Sequence, residues 1–461
     1  MRRTIRTVFL ALIGCFALVA SAHAQELPPG VFLMHDGNYF QPSSGFVTSD
    51  LSLMLAHLST STQQGVPLSQ VSTTTTGGGV IAPVDSTSTS AADASSTSLV
   101  FPLKAAIVRA QAMLNAQIDP KAKPLVLTAD DGWRDITLVI WNPSTDALRL
   151  VTGKKEGTKL TNLSPGAGSI RITYSNGVNS SFVIPNEVVV AIKYPIYDEK
   201  KLSKKKSEFL VHDVVYTPYS KALHTPQMVA EGKRWFDQQV AQVYADLRSA
   251  KIPSRAFPGK QLADVIDPSF VKSIAIIEHT DEGVLNGDMS PSIETFFVQL
   301  ASNETDTFDY SRSSAGALGL VQFIPSTYKS IASKWPTLHL NPDFEVGMRD
   351  PENAMRAQAA YLDYLLACLP DEAKTAYASD RSRANEYIAA AYNAGPTIVA
   401  KAMQVWNENF DSAERPHVLK RSRLRLETMN YVLKLRKLQQ LVLADASVLV
   451  DSGTVRAATS P

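Results

Sequence analysis

The 461-residue chain has only two cysteines, Cys15 and Cys368, and the first of them lies in an apolar run close to the N-terminus. Cleavage of that run as a leader would leave one cysteine, which cannot form an intrachain disulfide. We therefore expect hydrophobic cores alone to stabilise the fold. The length is too great for one average domain and predicts a multidomain protein.

The chain also lacks an excess of charge of either sign, because 45 basic and 44 acidic residues give a formal net charge of +1. This balance gives no electrostatic reason to expect nucleic acid as a partner. No spacing of His, Cys, Asp or Glu is typical of a metal site, no loop has the pattern of a phosphate site, and no serine lies in a nucleophile elbow. The sequence therefore predicts neither a metal nor a cofactor.

The first 24 residues have the layout of a secretory signal peptide. Three arginines among the first six residues precede an apolar run over residues 8–20, and small residues surround a cleavable bond after Ala24. Residues 12–15 also loosely fit a lipoprotein box, with Cys15 as the lipidated residue, but the apolar residues continue past this cysteine. We expect cleavage after Ala24, no transmembrane segment in the mature chain, and export to the periplasm or cell envelope.

Composition and periodicity divide the rest of the chain. A region dominated by serine and threonine lacks the apolar mass that would offset the entropy of ordering, which predicts a disordered linker. Short β-branched and aromatic runs separated by turn dipeptides then predict a small antiparallel β domain, and helical periodicity follows to the end. The predicted segments are a signal peptide (1–24), an N-terminal segment of unknown role (25–57), the linker (58–100), the β domain (101–200), a helical connector (201–258), a helical domain (259–442) and a disordered tail (443–461).

Two stretches of the helical region combine small residues with glycine. The first, over residues 313–327, reads Ser-Ser-Ala-Gly-Ala-Leu-Gly-Leu-Val-Gln-Phe-Ile-Pro-Ser-Thr, and the second, over residues 389–396, reads Ala-Ala-Ala-Tyr-Asn-Ala-Gly-Pro. Glycine allows close approach of the backbone to a ligand or a neighbouring helix, and Gly395 followed by Pro396 is typical of a helix end. Each stretch alone is as compatible with a tight helix connection as with a functional site.

Together and in this order, the stretches resemble the soluble lytic transglycosylase family. That family has Ser-x-x-Gly-Ala-x-Gly-Leu-Met-Gln followed by Pro-x-Thr, then Ala-Tyr-Asn-Ala-Gly-Pro, and a late Glu-Thr-x-x-Tyr-Val that is present here at residues 427–432. Val321 replaces the usual methionine, and the segment that begins at Asp350 resembles a helix start of the family. The resemblance covers residues 267–438 and implies a compact, all-α, lysozyme-like domain.

The resemblance implies a lytic transglycosylase that cleaves the β-1,4 bond between N-acetylmuramic acid (MurNAc) and N-acetylglucosamine (GlcNAc) in peptidoglycan glycan strands. In this family one glutamate protonates the glycosidic oxygen. As a carboxylate it then accepts the proton of the muramoyl 6-hydroxyl, which closes a 1,6-anhydro ring. Because the attacking group belongs to the substrate, one carboxyl suffices where ordinary glycosidases use two.

Two glutamates are candidates for this acid. Glu304 lies nine residues before Ser313, which is the spacing of the family. Glu278 follows two isoleucines, and burial among apolar groups raises a carboxyl pKa as a general acid near neutral pH requires. A resemblance to divergent members with a Glu-His-x-Asp segment also favours Glu278. We predict Glu278 as the catalytic residue, which requires an insertion of about 25 residues and His279 in place of the family's serine.

The resemblance also assigns substrate contacts. By family position, Ser313 and Gln322 should contact the sugar chain, and Asn393 should line the cleft. Tyr392 should lie beside the catalytic carboxyl and help to orient it. Glu427 should face the groove from the last helix.

Two other functions remain open. A goose-type, lysozyme-like hydrolase on the same scaffold would produce reducing muramic ends instead of anhydro-muropeptides. A non-catalytic peptidoglycan-binding or assembly protein would bind the wall without releasing muropeptides. The export signal, linker and β domain also suggest the hypothesis that the β domain docks on an envelope-spanning assembly.

Overall fold

The structure is a computed structural model that describes residues 101–406, except positions 120, 204, 205, 282, 284, 286 and 314, and residues 424–454. It also describes two short strands, β1 (Phe32–Leu33) and β2 (Tyr39–Phe40), which pair antiparallel in a separate unit over residues 1–46. The predicted signal peptide and the Ser/Thr-rich linker lie outside the described residues.

An antiparallel six-stranded sheet forms the first part of the larger unit, with the strand order β3-β10-β9-β4-β5-β6. A smaller sheet consists of β7 and β8 alone. The predicted β domain is thereby confirmed. The strands are β3 (Leu125–Leu127), β4 (Arg134–Asn142), β5 (Ala147–Glu156), β6 (Lys159–Thr161), β7 (Arg171–Tyr174), β8 (Ser181–Val183), β9 (Val188–Ser203) and β10 (Lys206–Tyr216).

The other described residues of the larger unit are mainly helical, as predicted. The helices are α1 (Pro102–Asn115), which precedes the sheet, and then α2 (Pro226–Ser249), α3 (Leu262–Val265), α4 (Pro268–Glu278), α5 (Ser290–Asn303), α6 (Pro325–Lys334), α7 (Phe344–Arg349), α8 (Pro351–Cys368), α9 (Asp371–Ser379), α10 (Arg381–Ala394), α11 (Pro396–Trp406) and α12 (Leu426–Thr454). Among the described helices, none is both long and apolar enough to cross a membrane.

The structure corrects two of the predicted boundaries. Residues 206–216 were expected to begin a helical connector, but they form β10, which pairs with β9 over its whole length. The apolar runs 209–211 and 214–216 are typical of a strand, and Val214 and Tyr216 are buried in the core of the sheet. The mostly charged residues 198–206 before them hid this pattern. Residues 443–454, expected to belong to a disordered tail, continue α12.

The two faces of the large sheet contribute to different cores. On one face, Ile136, Leu138 and Ile140 of β4 pack with Phe182 of the small sheet. On the other face, Val139 and Trp141 join α1 and the helical region in one continuous core. All six residues from Ile136 to Trp141 are therefore buried. The sheet and the helices are not separate modules, because one apolar core connects them.

Helix α8 lies in the middle of the helical region. Met355, Ala359, Leu362 and Leu366 are fully buried and Leu369 is 2% exposed, so residues spaced by three and four form one buried stripe. Asp350 precedes this helix and accepts hydrogen bonds from the backbone N–H groups of residues 352 and 353, as an N-cap aspartate does.

Helices α2 and α5 cross in close contact at Gly232. A Cβ atom at this position would lie 1.8 Å from the carbonyl oxygen of Phe297. Only glycine therefore allows the two helix backbones to approach this closely. The crossing anchors α5, which lies between Glu278 and the glycine-containing stretch in the sequence.

We expect Gly232→Ala to destabilise the fold by about 1–3 kcal/mol, because overpacking outweighs the roughly 1 kcal/mol that alanine gains in helix propensity. Urea unfolding followed by circular dichroism measures the difference. Gly287→Ala is the matched control, since no atom lies within 4 Å of a Cβ there. Equal stability of the two variants would contradict the close crossing.

Candidate active site

Glu278 is the last residue of α4, and the two isoleucines before it are buried. The hydroxyl of Tyr431, on α12, donates a hydrogen bond of 2.7 Å to its Oε1 atom. Burial raises the pKa of Glu278 to about 7, against the opposing effects of the Tyr431 hydrogen bond and the Lys434 charge, while the charge of Glu427 adds to the rise. The carboxyl is thus divided between its acid and base forms near neutral pH.

The glycine turn, residues 316–322, lies next to this helix end. Gly319 has a φ of 74°, and a Cβ there would lie 2.4 Å from the carbonyl oxygen of Met348, so the turn requires glycine at this point. Gln322 has a φ of 49°, and its Nε2 atom donates to the carbonyl oxygen of Gly319 at 2.8 Å. Ser313 closes the preceding loop, because its hydroxyl accepts a 3.0 Å hydrogen bond from the N–H of Ala317.

Tyr392, near the end of α10, joins the turn to the glutamate. Its hydroxyl donates to the carbonyl oxygen of Val321 at 2.7 Å, and its ring stacks on Tyr431 with centroids 6.4 Å apart. Burial, and then the neighbouring Glu278 carboxylate, raise the pKa of Tyr392 well above its ordinary value. Glu278, Tyr431, Tyr392 and the carbonyl oxygen of Val321 in the glycine turn therefore form one continuous chain of contacts.

The other two predicted residues lie where α10 meets α12. The amide oxygen of Asn393 accepts a 2.7 Å hydrogen bond from the hydroxyl of Thr428. Glu427 is the residue before Thr428 and is exposed. Its charge acts on Glu278, which places its carboxylate on the same side of the molecule.

Glu304, the second candidate for the acid, has different surroundings. It follows the end of α5, and its Oε1 atom lies 2.7 Å from Nζ of Lys104 on α1. Lys104 also donates to the carbonyl oxygen of Ala301 at 2.6 Å. The Glu304 side chain is 48% exposed. Its ion pair connects α5 to α1, whereas the contacts of Glu278 are with α12.

Sequence reasoning missed the role of Tyr431, the direct hydrogen-bond partner of Glu278. The signal was present, because Tyr431 is the tyrosine of the Glu-Thr-x-x-Tyr-Val segment, but its position there does not show what it contacts. Lys434 was missed as well. It lies three residues further along α12, on the same face, and donates to the carbonyl oxygen of Thr280.

Among the described residues, no group of three or more His, Cys, Asp or Glu side chains is placed to hold a metal ion. The chemistry available at Glu278 is proton transfer by a carboxyl whose pKa lies near neutrality. The tyrosine rings and the glycine turn form its immediate surroundings.

Residues 287–412 match the family model of the transglycosylase SLT domain, over about a quarter of the chain. Comparisons with curated proteins and with solved structures gave no match. The helical C-terminal region therefore contains a transglycosylase SLT domain, of the soluble lytic transglycosylase family in the lysozyme-like superfamily. Such a domain supports a peptidoglycan-cleaving function of the lytic transglycosylase type. The match includes Glu304 and begins nine residues after Glu278.

Replacing Tyr431 by phenylalanine removes the hydrogen bond that favours the charged form of Glu278. We expect the pKa of Glu278 to rise above its value of about 7, because burial then acts with less opposition. A ¹³C NMR titration of the glutamate side-chain carboxyls measures this shift. Tyr361→Phe is the control, since its ring contacts Tyr392 without bonding to Glu278. An unchanged or lower pKa in Tyr431→Phe would show that the hydrogen bond is unimportant.

Proposed function

We propose that this protein is a lytic transglycosylase that cleaves the MurNAc–GlcNAc β-1,4 bond of peptidoglycan and forms 1,6-anhydro-MurNAc. Glu278 serves as the single general acid and base. The observation that carries the proposal is the raised pKa of Glu278, about 7, in a carboxyl that contacts Tyr431 beside Tyr392 and the glycine turn.

The reaction needs two proton transfers at one carboxyl. Protonated Glu278 donates its proton to the glycosidic oxygen as the bond from this oxygen to C1 of MurNAc breaks, and GlcNAc leaves with a free 4-hydroxyl. The resulting carboxylate takes the proton of the muramoyl 6-hydroxyl while O6 bonds to C1. Glu278 ends protonated and no water is consumed. A pKa near the working pH is the value at which one group performs both transfers well.

Glu278 is preferred to Glu304 because of what surrounds each carboxyl. An acid that donates a proton near neutral pH needs an environment that disfavours its charged form. The Glu304 side chain is 48% exposed and lies 2.7 Å from Nζ of Lys104, whereas Glu278 ends α4 next to buried isoleucines. The ion pair gives Glu304 a structural role between α5 and α1.

Ser313, Gln322, Asn393 and Glu427 are proposed to contact the glycan. Gln322 and Ser313 shape the turn through their own hydrogen bonds, so they would present backbone and side-chain groups to the sugars in a fixed arrangement. Tyr392 is proposed to orient the Glu278 carboxyl, with which it shares the Tyr431 contact.

A goose-type hydrolase is the alternative that one observation favours. Glu427 is close enough for its charge to raise the pKa of Glu278, and hydrolysis requires a second carboxylate that activates water. Product analysis separates the two reactions. Anhydro-muropeptides indicate the transglycosylase, and reducing muramic ends indicate the hydrolase.

Export to the periplasm or cell envelope fits a peptidoglycan substrate, and docking of the sheet on an envelope-spanning assembly is a further part of the proposal. A test of this docking must leave intact the apolar core that the sheet shares with the helices. Deletion of residues 101–200 would expose the apolar residues that α1 and the sheet cover. Deletion of residues 25–100, together with surface substitutions on the sheet, tests localisation and partner recovery without that damage.

Glu278→Gln should reduce muropeptide release by about 10²–10⁴-fold, because the side chain keeps its size and loses its transferable proton. Glu304→Gln is the matched variant and should stay close to wild type. Mass spectrometry of products from purified sacculi measures both. Loss of activity only in Glu304→Gln would reverse the assignment within the same family, and normal release by both variants would reject an essential role for either glutamate.

The pH dependence of cleavage should follow the Glu278 carboxyl. Since the first step requires the protonated acid, kcat/KM should fall as the pH rises above about 7. Tyr431→Phe should move this basic limb to higher pH, because it raises the pKa of Glu278. Initial rates of release from sacculi between pH 5 and pH 9, roughly spanning two units on each side, measure the profile. If the basic limb lies at the same pH in wild type and in Tyr431→Phe, a group other than Glu278 determines it.

A further inference from the structure

His279 follows Glu278 directly and ends α4. Its Nε2 atom lies 3.0 Å from the carbonyl oxygen of Leu320 in the glycine turn. Burial lowers the pKa of His279 to about 4, so the ring is neutral near pH 7. A carbonyl oxygen only accepts hydrogen bonds, and therefore Nε2 carries the hydrogen and donates it.

Two side chains hold two successive carbonyl groups of the turn. His279 donates to the carbonyl oxygen of Leu320, and Tyr392 donates to that of Val321. The first of these side chains adjoins Glu278 in the sequence, and the second stacks on the Tyr431 ring that bonds to Glu278. The turn is thereby fixed to the surroundings of the carboxyl through both contacts.

Aromatic contacts connect the ring of His279 to the sheet. His279 stacks on Phe308, with ring centroids 3.6 Å apart and an interplanar angle of 13°. Phe308 belongs to the segment between α5 and the glycine turn. Two residues later, the ring of Tyr310 contacts Tyr216 of β10 edge to face, with centroids 6.0 Å apart.

Both ends of this segment are tied down. At its start, the amide of Asn303 pairs with the backbone of Thr217, accepting from its N–H at 2.7 Å and donating to its carbonyl oxygen at 3.0 Å. At its end, the carbonyl oxygen of Ser311 accepts from Gln322 Nε2 at 3.2 Å. Phe308 lies between an anchor on the sheet region and an anchor on the turn.

We propose that His279 is a positioning residue that fixes the glycine turn relative to Glu278, and that its stack on Phe308 makes this position depend on the sheet-anchored segment 303–311. The structural part concerns the turn itself. The catalytic part rests on the proposed function, because it assumes that the turn places the glycan against the Glu278 carboxyl.

The structural part is tested by hydrogen exchange in the full chain. The N–H groups of Gly319 and Gln322 donate within this region, to the carbonyl oxygens of Ser311 and Gly319. His279→Leu should lower their protection about tenfold or more. His279→Gln should keep part of this protection, because the glutamine amide can donate from nearly the same place as Nε2 but lacks the ring that stacks on Phe308. Unchanged protection in His279→Leu, or equal loss in both variants, would overturn the proposal.

The Phe308 contact is tested by a matched pair. Phe308→Leu removes the stack, whereas Phe297→Leu makes the same change in a fully buried ring of α5 that has no ring contact with His279. Greater loss of turn protection in Phe308→Leu supports the proposal, and equal loss overturns it. If His279→Leu does not fold, this pair of variants still tests whether the stack of His279 on Phe308 holds the glycine turn in place.

The catalytic part is read from anhydro-muropeptide release. A misplaced substrate lowers the rate more than it weakens binding, so His279→Leu should lower kcat by about 10²-fold with a small change in KM. His279→Gln should restore part of this loss, because it keeps the hydrogen bond and lacks the stack. A wild-type protein that releases no anhydro product would reject the proposed function, while the exchange data would still decide the position of the turn. An active protein whose kcat is the same in His279→Leu would overturn the positioning role.

Discussion

The partly buried carboxyl of Glu278 at the end of α4 is the group on which the arrangement of the candidate active site depends. Removing a carboxylate from water is costly, and without compensation burial would keep the group protonated. The Tyr431 hydroxyl and the Lys434 charge favour the charged form, and the resulting pKa is about 7. The opposing effects therefore leave both forms of the carboxyl populated near neutrality, as a group that gives and then takes a proton requires.

This balance depends on a helix far away in the sequence. Thr428, Tyr431 and Lys434 lie three residues apart on one face of α12, and they bond to Asn393, Glu278 and the carbonyl oxygen of Thr280, respectively. One helix face thus fixes the end of α10 and the end of α4 relative to each other. The family segment Glu-Thr-x-x-Tyr-Val begins just before this face, which gives a physical reason for the order of its residues.

Local patterns predicted a large part of this structure. The β-branched and aromatic runs predicted the sheet, and helical periodicity predicted the helices that follow it. Burial of the isoleucines before Glu278 correctly predicted a raised carboxyl pKa. In each case, the predicted property depends on residues that are neighbours in the sequence or lie one helix turn apart.

The features that sequence reasoning missed are tertiary. Strand β10 contains the apolar runs 209–211 and 214–216, but it follows a mostly charged stretch and pairs with β9 through its backbone. The hydrogen bond from Tyr431 joins residues 153 positions apart. The spacing of the family favours Glu304, whereas the side-chain hydrogen bond of Glu278 is with Tyr431 of α12, a contact that no spacing along the chain reports.

The position of α5 also bears on how the sheet relates to the catalytic region. The helix crosses α2 at Gly232, bonds to α1 through Lys104, and leads into the segment that contains Phe308. A flexible tether between domains normally has a small, polar interface. Here the sheet shares an apolar core with the helices, so relative motion would expose buried apolar surface. A partner bound to the sheet would therefore orient the region around Glu278 as well as hold the protein in place.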